Sequence, residues 1–326
     1  MNLIAIAFLL IQEAPPLSKV DLGPTPLALL SGRLALRMPE GTIEEPRGHS
    51  LMGAPEPNTR ETRLVWTSGD RKCVVMAYEL FRSAGKDFEA EVRKQIGSWG
   101  LEGEVSTRPE RPGFRVCDVV PKIVDPSTEA VFVLGLFSAR EDGTVQYVVF
   151  YFNPKAAEDA AGCRELARKA AGTLEAGARV LARESGTRVL EELADGKQCV
   201  LDVPEGFTVT VKKGPDFQVA SVLKIVPLGE TGPSLNAYFG GHPRFQYERE
   251  DARPAITKSD GKLLGQATEW HRWTQEADSK SHFKEAMAPL PGSRQEVIHA
   301  FLIAPDAAGL QEVENLATKL RISDKK

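Results

Sequence analysis

Apolar and polar side chains alternate along several short stretches of this chain, and two of those stretches are alike. Residues 33–41 read Arg-Leu-Ala-Leu-Arg-Met-Pro-Glu-Gly, and residues 198–206 read Gln-Cys-Val-Leu-Asp-Val-Pro-Glu-Gly. A period of two puts Leu34, Leu36 and Met38 on one face of a strand, and Cys199, Leu201 and Val203 on the matching face of another. Proline removes a ladder donor and glycine permits a turn, so both strands end at Pro-Glu-Gly. Alternation also predicts strands over 63–67 and 72–78, joined at Ser68-Gly69-Asp70, and over 114–120, 130–137 and 145–152, the last two joined at Glu141-Asp142-Gly143. Further along, it predicts strands over 207–211, 219–226, 263–267, 269–274, 281–287 and 296–303. Spacing of three and four takes over elsewhere. Phe88, Val92, Ile96 and Trp99 share one helical face. So do Cys163, Leu166, Ala170 and Leu174 after Asn153-Pro154, and Leu310, Val313, Ala317 and Leu320 after Ala304-Pro305-Asp306.

The two series run in the same order, so the pattern predicts an α+β protein of two tandem modules. Each is expected to be an antiparallel β-sheet with a C-terminal helix packed on it. The boundaries are 1–14 for a signal peptide, 15–30 for a Pro-rich linker, 31–174 for the first module, 175–196 for a helical connector and 197–323 for the second module. At 326 residues the chain is too long for one typical domain. The connector is rich in Ala, Arg and Glu, and its Val180, Leu181, Val189, Leu190 and Leu193 need burial. The two modules are therefore expected to dock against each other.

This order resembles the PsbP-like fold of the extrinsic photosystem proteins and a Ran-binding import factor. The resemblance rests on residues 38–42 with 153–174, and on 203–207 with 304–320. The first copy departs from the second in having Thr42 where Phe207 follows glycine. The resemblance implies partner-binding modules without a common catalytic centre, and it transfers no site residue.

Composition narrows the partners. The chain has 41 basic and 45 acidic residues, a formal charge of −4, and so lacks the basic field that a phosphate backbone requires. No nucleic acid is expected. Residues 3–11 form an unbroken apolar run, far short of the roughly 20 residues of a membrane-spanning helix. The run suits the core of a secretory signal ending near Ala14, although no Lys or Arg precedes it and Gln12 sits poorly for cleavage. The expected location is periplasmic or secreted. The alternative is a cytoplasmic protein with a buried N-terminal segment or a misplaced start.

Candidate chemistry is sparse. Cys73, Cys117, Cys163 and Cys199 have no close spacing, which predicts four buried thiols or one bridge, Cys73 with Cys117. Glu269 and His271 share a strand face, and His282 comes from the next strand. A carboxylate and two imidazoles form a set that would suit zinc, against the nearby charges of Lys280 and Lys284. Trp270 and Trp273 lie three apart in a strand and face opposite sides, so one is expected to be exposed. No nucleophile elbow, phosphate loop or dinucleotide fingerprint occurs, and no cofactor is expected. The pattern points to a non-catalytic, exported or envelope-associated interaction module with an unknown protein partner. The alternative is a hydrolase or metal-dependent enzyme with a cleft between the modules.

Overall fold

The computed structural model describes residues 15–45, 61–122, 130–140, 144–179, 185–241, 243–249, 255–275, 281–292 and 296–325. The signal segment, the turn at 141–143, His49, His242, Val180, Leu181 and Lys280 lie outside the described residues. No helix among the described residues is long and apolar enough to cross a membrane.

The strands in chain order begin with β1 (Leu27–Leu29), β2 (Leu34–Leu36), β3 (Ile43–Glu44), β4 (Glu61–Ser68), β5 (Arg71–Ser83), β6 (Gly103–Thr107) and β7 (Phe114–Pro121). There follow β8 (Val131–Arg140), β9 (Thr144–Phe152), β10 (Glu175–Ala176), β11 (Gly186–Glu192), β12 (Lys197–Val203), β13 (Phe207–Lys213) and β14 (Phe217–Lys224). The series closes with β15 (Val226–Pro227), β16 (Ser234–Gly240), β17 (Thr257–Leu263), β18 (Gln266–Gln275), β19 (Ser281–Pro289), β20 (Val297–Ala304) and β21 (Arg321–Asp324). The helices are α1 (Phe88–Ser98), α2 (Pro154–Ala157), α3 (Ala160–Ala171) and α4 (Ala307–Ala317).

The main sheets run β3-β4-β5-β9-β8-β7-β6 and β13-β14-β16-β20-β19-β18-β17. Ranked by order of appearance, both read first, second, third, seventh, sixth, fifth, fourth. Two three-stranded sheets, β1-β2-β10 and β11-β12-β21, hold the two repeated stretches. Leu34, Leu36 and Met38 are buried under α3, and Cys199, Leu201 and Val203 are buried with α4. Gly41 and Gly206 adopt φ of 80° and 85°, a region open to glycine at little steric cost, and Thr42 and Phe207 each donate back to the proline carbonyl of the turn.

This architecture corrects the expected fold class. The described residues are mostly β, with 54% strand and 17% helix, and they form four sheets and four helices in place of two sheets each closed by one helix. Three physical reasons account for the difference. The connector is extended, as β10 and β11. Gly177 passes so close to Gly32 that a Cβ would meet its carbonyl oxygen, and β11 pairs along β12. The single helix expected from Asn153-Pro154 to Leu174 splits in two, because the Asp159 side chain accepts from Gly162 N and starts α3 afresh. The chain also continues past α4 into β21, which pairs with β12.

The halves of the chain meet through a segment that periodicity did not single out. β15 pairs in parallel with β5 at Arg82 and Ser83, just past a bulge where Phe81 adopts φ of 51°. Leu228 is buried among Phe88, Val92 and Ile96 of α1, and Gly229 N donates to Gln95 Oε1 at 3.1 Å. Of the connector side chains expected to drive docking, Leu190 is buried with the second sheet and Val189 is exposed.

Candidate binding site

Alternation along β14, β16, β20, β19 and β18 sorts the second main sheet into two faces. The inner face carries Leu235, Ala237, Ala286, Ala300 and Leu302, against which α4 packs Leu310, Val313 and Ala317. The outer face carries a row in register across five strands: Asn236, Phe301, Glu285, His271 and Lys258. In the first main sheet, α1 closes the corresponding face with Phe88, Val92 and Ile96. In the second sheet the closing element is the segment 243–249, which brings Phe245 and Tyr247 over the row.

A buried carboxylate holds that segment. Glu285 is wholly buried, and its Oε2 lies 2.6 Å from His299 Nε2. The same carboxylate accepts from Gln246 N at 2.9 Å and from Tyr247 N at 3.3 Å. A buried charge is tolerable when its lone pairs are taken up in this way. Phe245 stands edge-on to His271 at 4.7 Å between ring centroids and to His299 at 5.9 Å, and Tyr247 stands edge-on to His271 at 5.1 Å. Between segment and sheet lies a cavity of about 240 Å³, with Val219, Tyr238 and Phe301 as apolar walls and Asn236, Arg244 and His299 as polar groups. Arg244 is exposed and has no ion pair or hydrogen bond among the described residues. A wider open groove of about 810 Å³ runs along β21, where Arg321 is bound bidentately by Asp202 at 2.7 and 2.9 Å.

The expected metal set is only partly assembled. His271 Nε2 and Lys258 Nζ each lie 2.8 Å from Glu269 Oε1, and Lys258 followed by His271 holds that carboxyl below the usual range. His282 pairs with Thr274, three positions from the residue opposite His271, and an odd offset in a strand places it on the other sheet face. Its Nδ1 lies 3.4 Å from Thr274 Oγ1. Lys284 also turns inward, to Glu314 on α4 at 2.6 Å and over the Trp270 ring. Among the described residues, no three or more His, Cys, Asp or Glu side chains cluster as a metal site.

Trp270 and Trp273 do face opposite sides, but both are buried: Trp270 in the inner core, Trp273 between Tyr247 and Phe283. His271 Nδ1 and Trp273 Nε1 are buried without a hydrogen-bond partner among the described residues. All four cysteines are free and buried. Cys73 faces α3 and Cys117 faces α1, on opposite sides of the first main sheet. Burial raises every thiol above its ordinary value, to about 12 for Cys163 and Cys199.

Sequence reasoning missed Glu285, His299 and Arg244 as members of one site. One signal was available. Glu285 alternates with Phe283 and Met287 on the same strand face, and a carboxylate in an apolar row marks a charge that must find buried partners.

No protein-family model matches this chain, and no curated protein matches it. Among solved structures, the Saccharomyces cerevisiae Ran-binding protein Mog1p shares 10% identity over 48% of this chain and 96% of its own, with a TM-score of 0.28. The di-domain ARO/CYC BexL from the BE-7585A biosynthetic pathway shares 10% identity over 84% of this chain and 76% of its own, with a TM-score of 0.13. The likeness to Mog1p is a distant resemblance and says nothing about function.

Proposed function

We propose that this chain is a non-catalytic binding protein, exported or held at the cell envelope, whose ligand site is the cavity beneath segment 243–249. The observation that supports it most is the contrast between the two main sheets. The face that α1 fills in the first sheet is spanned in the second by a short segment hung on Glu285, and a walled cavity of about 240 Å³ remains. Such concave, mostly apolar spaces with a few polar groups are the usual form of small-ligand sites. The apolar run at residues 3–11 supports export. The shared strand order of the sheets supports their origin from one duplicated unit.

Native mass spectrometry of the protein purified gently from its own cells tests the reading. A bound small molecule is expected on the wild type and should be lost from Val219→Phe, which fills the cavity from its wall. A bare wild-type mass, or the same adduct on the variant, would overturn it. Cell fractionation tests export separately: a mature chain starting near Pro15 outside the cytoplasm is expected, and an intact Met1 in the cytoplasm refutes that half.

A further inference from the structure

We infer that the ligand of this cavity is a small aromatic monocarboxylate, an inference that rests on the binding-site reading above. Size bounds the molecule first. An apolar protein cavity of roughly 150 Å³ takes up benzene, so about 240 Å³ leaves room for one ring and a small substituent. The walls choose the ring. Tyr238, Phe301 and Val219 come from three neighbouring strands, and aromatic side chains favour offset or edge-on contact with another ring.

Charge chooses the substituent. Glu285 borders the site, but its oxygens are taken by His299, Gln246 N and Tyr247 N. Glu269 lies beside His271 and is engaged by Lys258 and His271. Arg244, in contrast, lines the cavity with its guanidinium unsatisfied by any described residue. A guanidinium presents a planar fork that a carboxylate meets with two parallel hydrogen bonds. Asn236 donates one amide N–H to Ser234 Oγ at 3.4 Å, which leaves its second N–H and its carbonyl oxygen to orient a polar ring substituent. One guanidinium over apolar walls suits a single negative charge. A phosphate dianion would call for further cations and fewer rings.

Titration calorimetry on the full chain, with benzoate, benzyl alcohol and inorganic phosphate as probes, decides the matter. Benzoate is expected to bind saturably at one site, benzyl alcohol about tenfold or more weaker, and phosphate not at all. Arg244→Ala should weaken benzoate by about tenfold and leave benzyl alcohol unchanged, with Arg244→Lys between the two. Arg244 is exposed, so neither variant threatens the fold. Benzyl alcohol binding as well as benzoate, or benzoate indifferent to Arg244→Ala, would refute the carboxylate while leaving the cavity reading intact. Phosphate binding as tightly as benzoate would refute the aromatic part. Failure of both aromatic probes on the wild type would overturn this inference, while the native mass measurement decides the cavity reading independently.

Discussion

Glu191 and Glu285 are two carboxylates in strands of the same half, and their surroundings give them opposite characters. Glu285 has His299 and two backbone N–H groups, so its charge organises a loop. Glu191 has a buried Oε2 with no hydrogen-bond partner among the described residues, and desolvation raises its carboxyl above the ordinary 4.5 despite Lys213 nearby. The native state therefore holds this proton more tightly than the unfolded chain. Stability from this group is greatest at low pH and is lost as pH rises through the raised value. Glu191→Gln should raise the thermal midpoint at neutral pH, and the gain should vanish well below pH 4.5, where both states are protonated. Thermal melts of the two proteins across that range check it, and a gain independent of pH would rule out desolvation of the carboxylate as the cause. The same two residues show how far the sequence was legible. Alternation placed Glu285 in a strand, whereas Glu191 fell in the expected helical connector and stands in β11, and only the loop folded over Glu285 makes it part of a site.

At the scale of elements, three of the four helix starts were legible, because caps are local. Asp87, Asn153 and Asp306 each accept a backbone N–H from the first turn they begin, whereas Asp159 does the same inside what reads as one helix. Asp306 Oδ1 accepts from Gly309 N at 2.7 Å and starts α4, whose Leu310, Val313 and Ala317 close the inner face of the second sheet. Asp306→Ala should cost about 1 kcal/mol in urea unfolding, and Asp306→Asn much less. Equal losses for the two would show that charge, not the acceptor, matters. The expected connector helix failed for the complementary reason. Ala, Arg and Glu are good helix formers, but propensity is worth only tenths of a kcal/mol per residue, and the edge of β12 offers β11 a ladder, with a register shift between Val189 and Glu191, that outweighs it.

For the whole molecule, Leu228 ties chain from the second half into a core of the first. It is 1% exposed and packs with Phe88, Val92 and Ile96, while Leu228 N donates to Ser83 O at 2.9 Å. Leu228→Ala should cost about 2–5 kcal/mol in denaturant unfolding, the range for a buried leucine that leaves a cavity. An unchanged midpoint would mean that the docked segment adds nothing to stability.

Local chemistry determined what the sequence alone could determine. The period of two set the strands and the buried faces of the repeated stretches. The Pro-Glu-Gly turns ended them, and polar caps began the helices. Each of these depends on residues within a few positions of one another. Tertiary structure decided the rest, because the partners are far apart in the chain. Arg33 meets Glu79 at 2.8 Å with both side chains fully buried, and neither residue predicts the other. His299, Glu285, Arg244 and Tyr238 form one site only because β16, β19 and β20 lie side by side and segment 243–249 closes over them. Periodicity tells which face a side chain occupies, while strand order and loop path determine what it meets there.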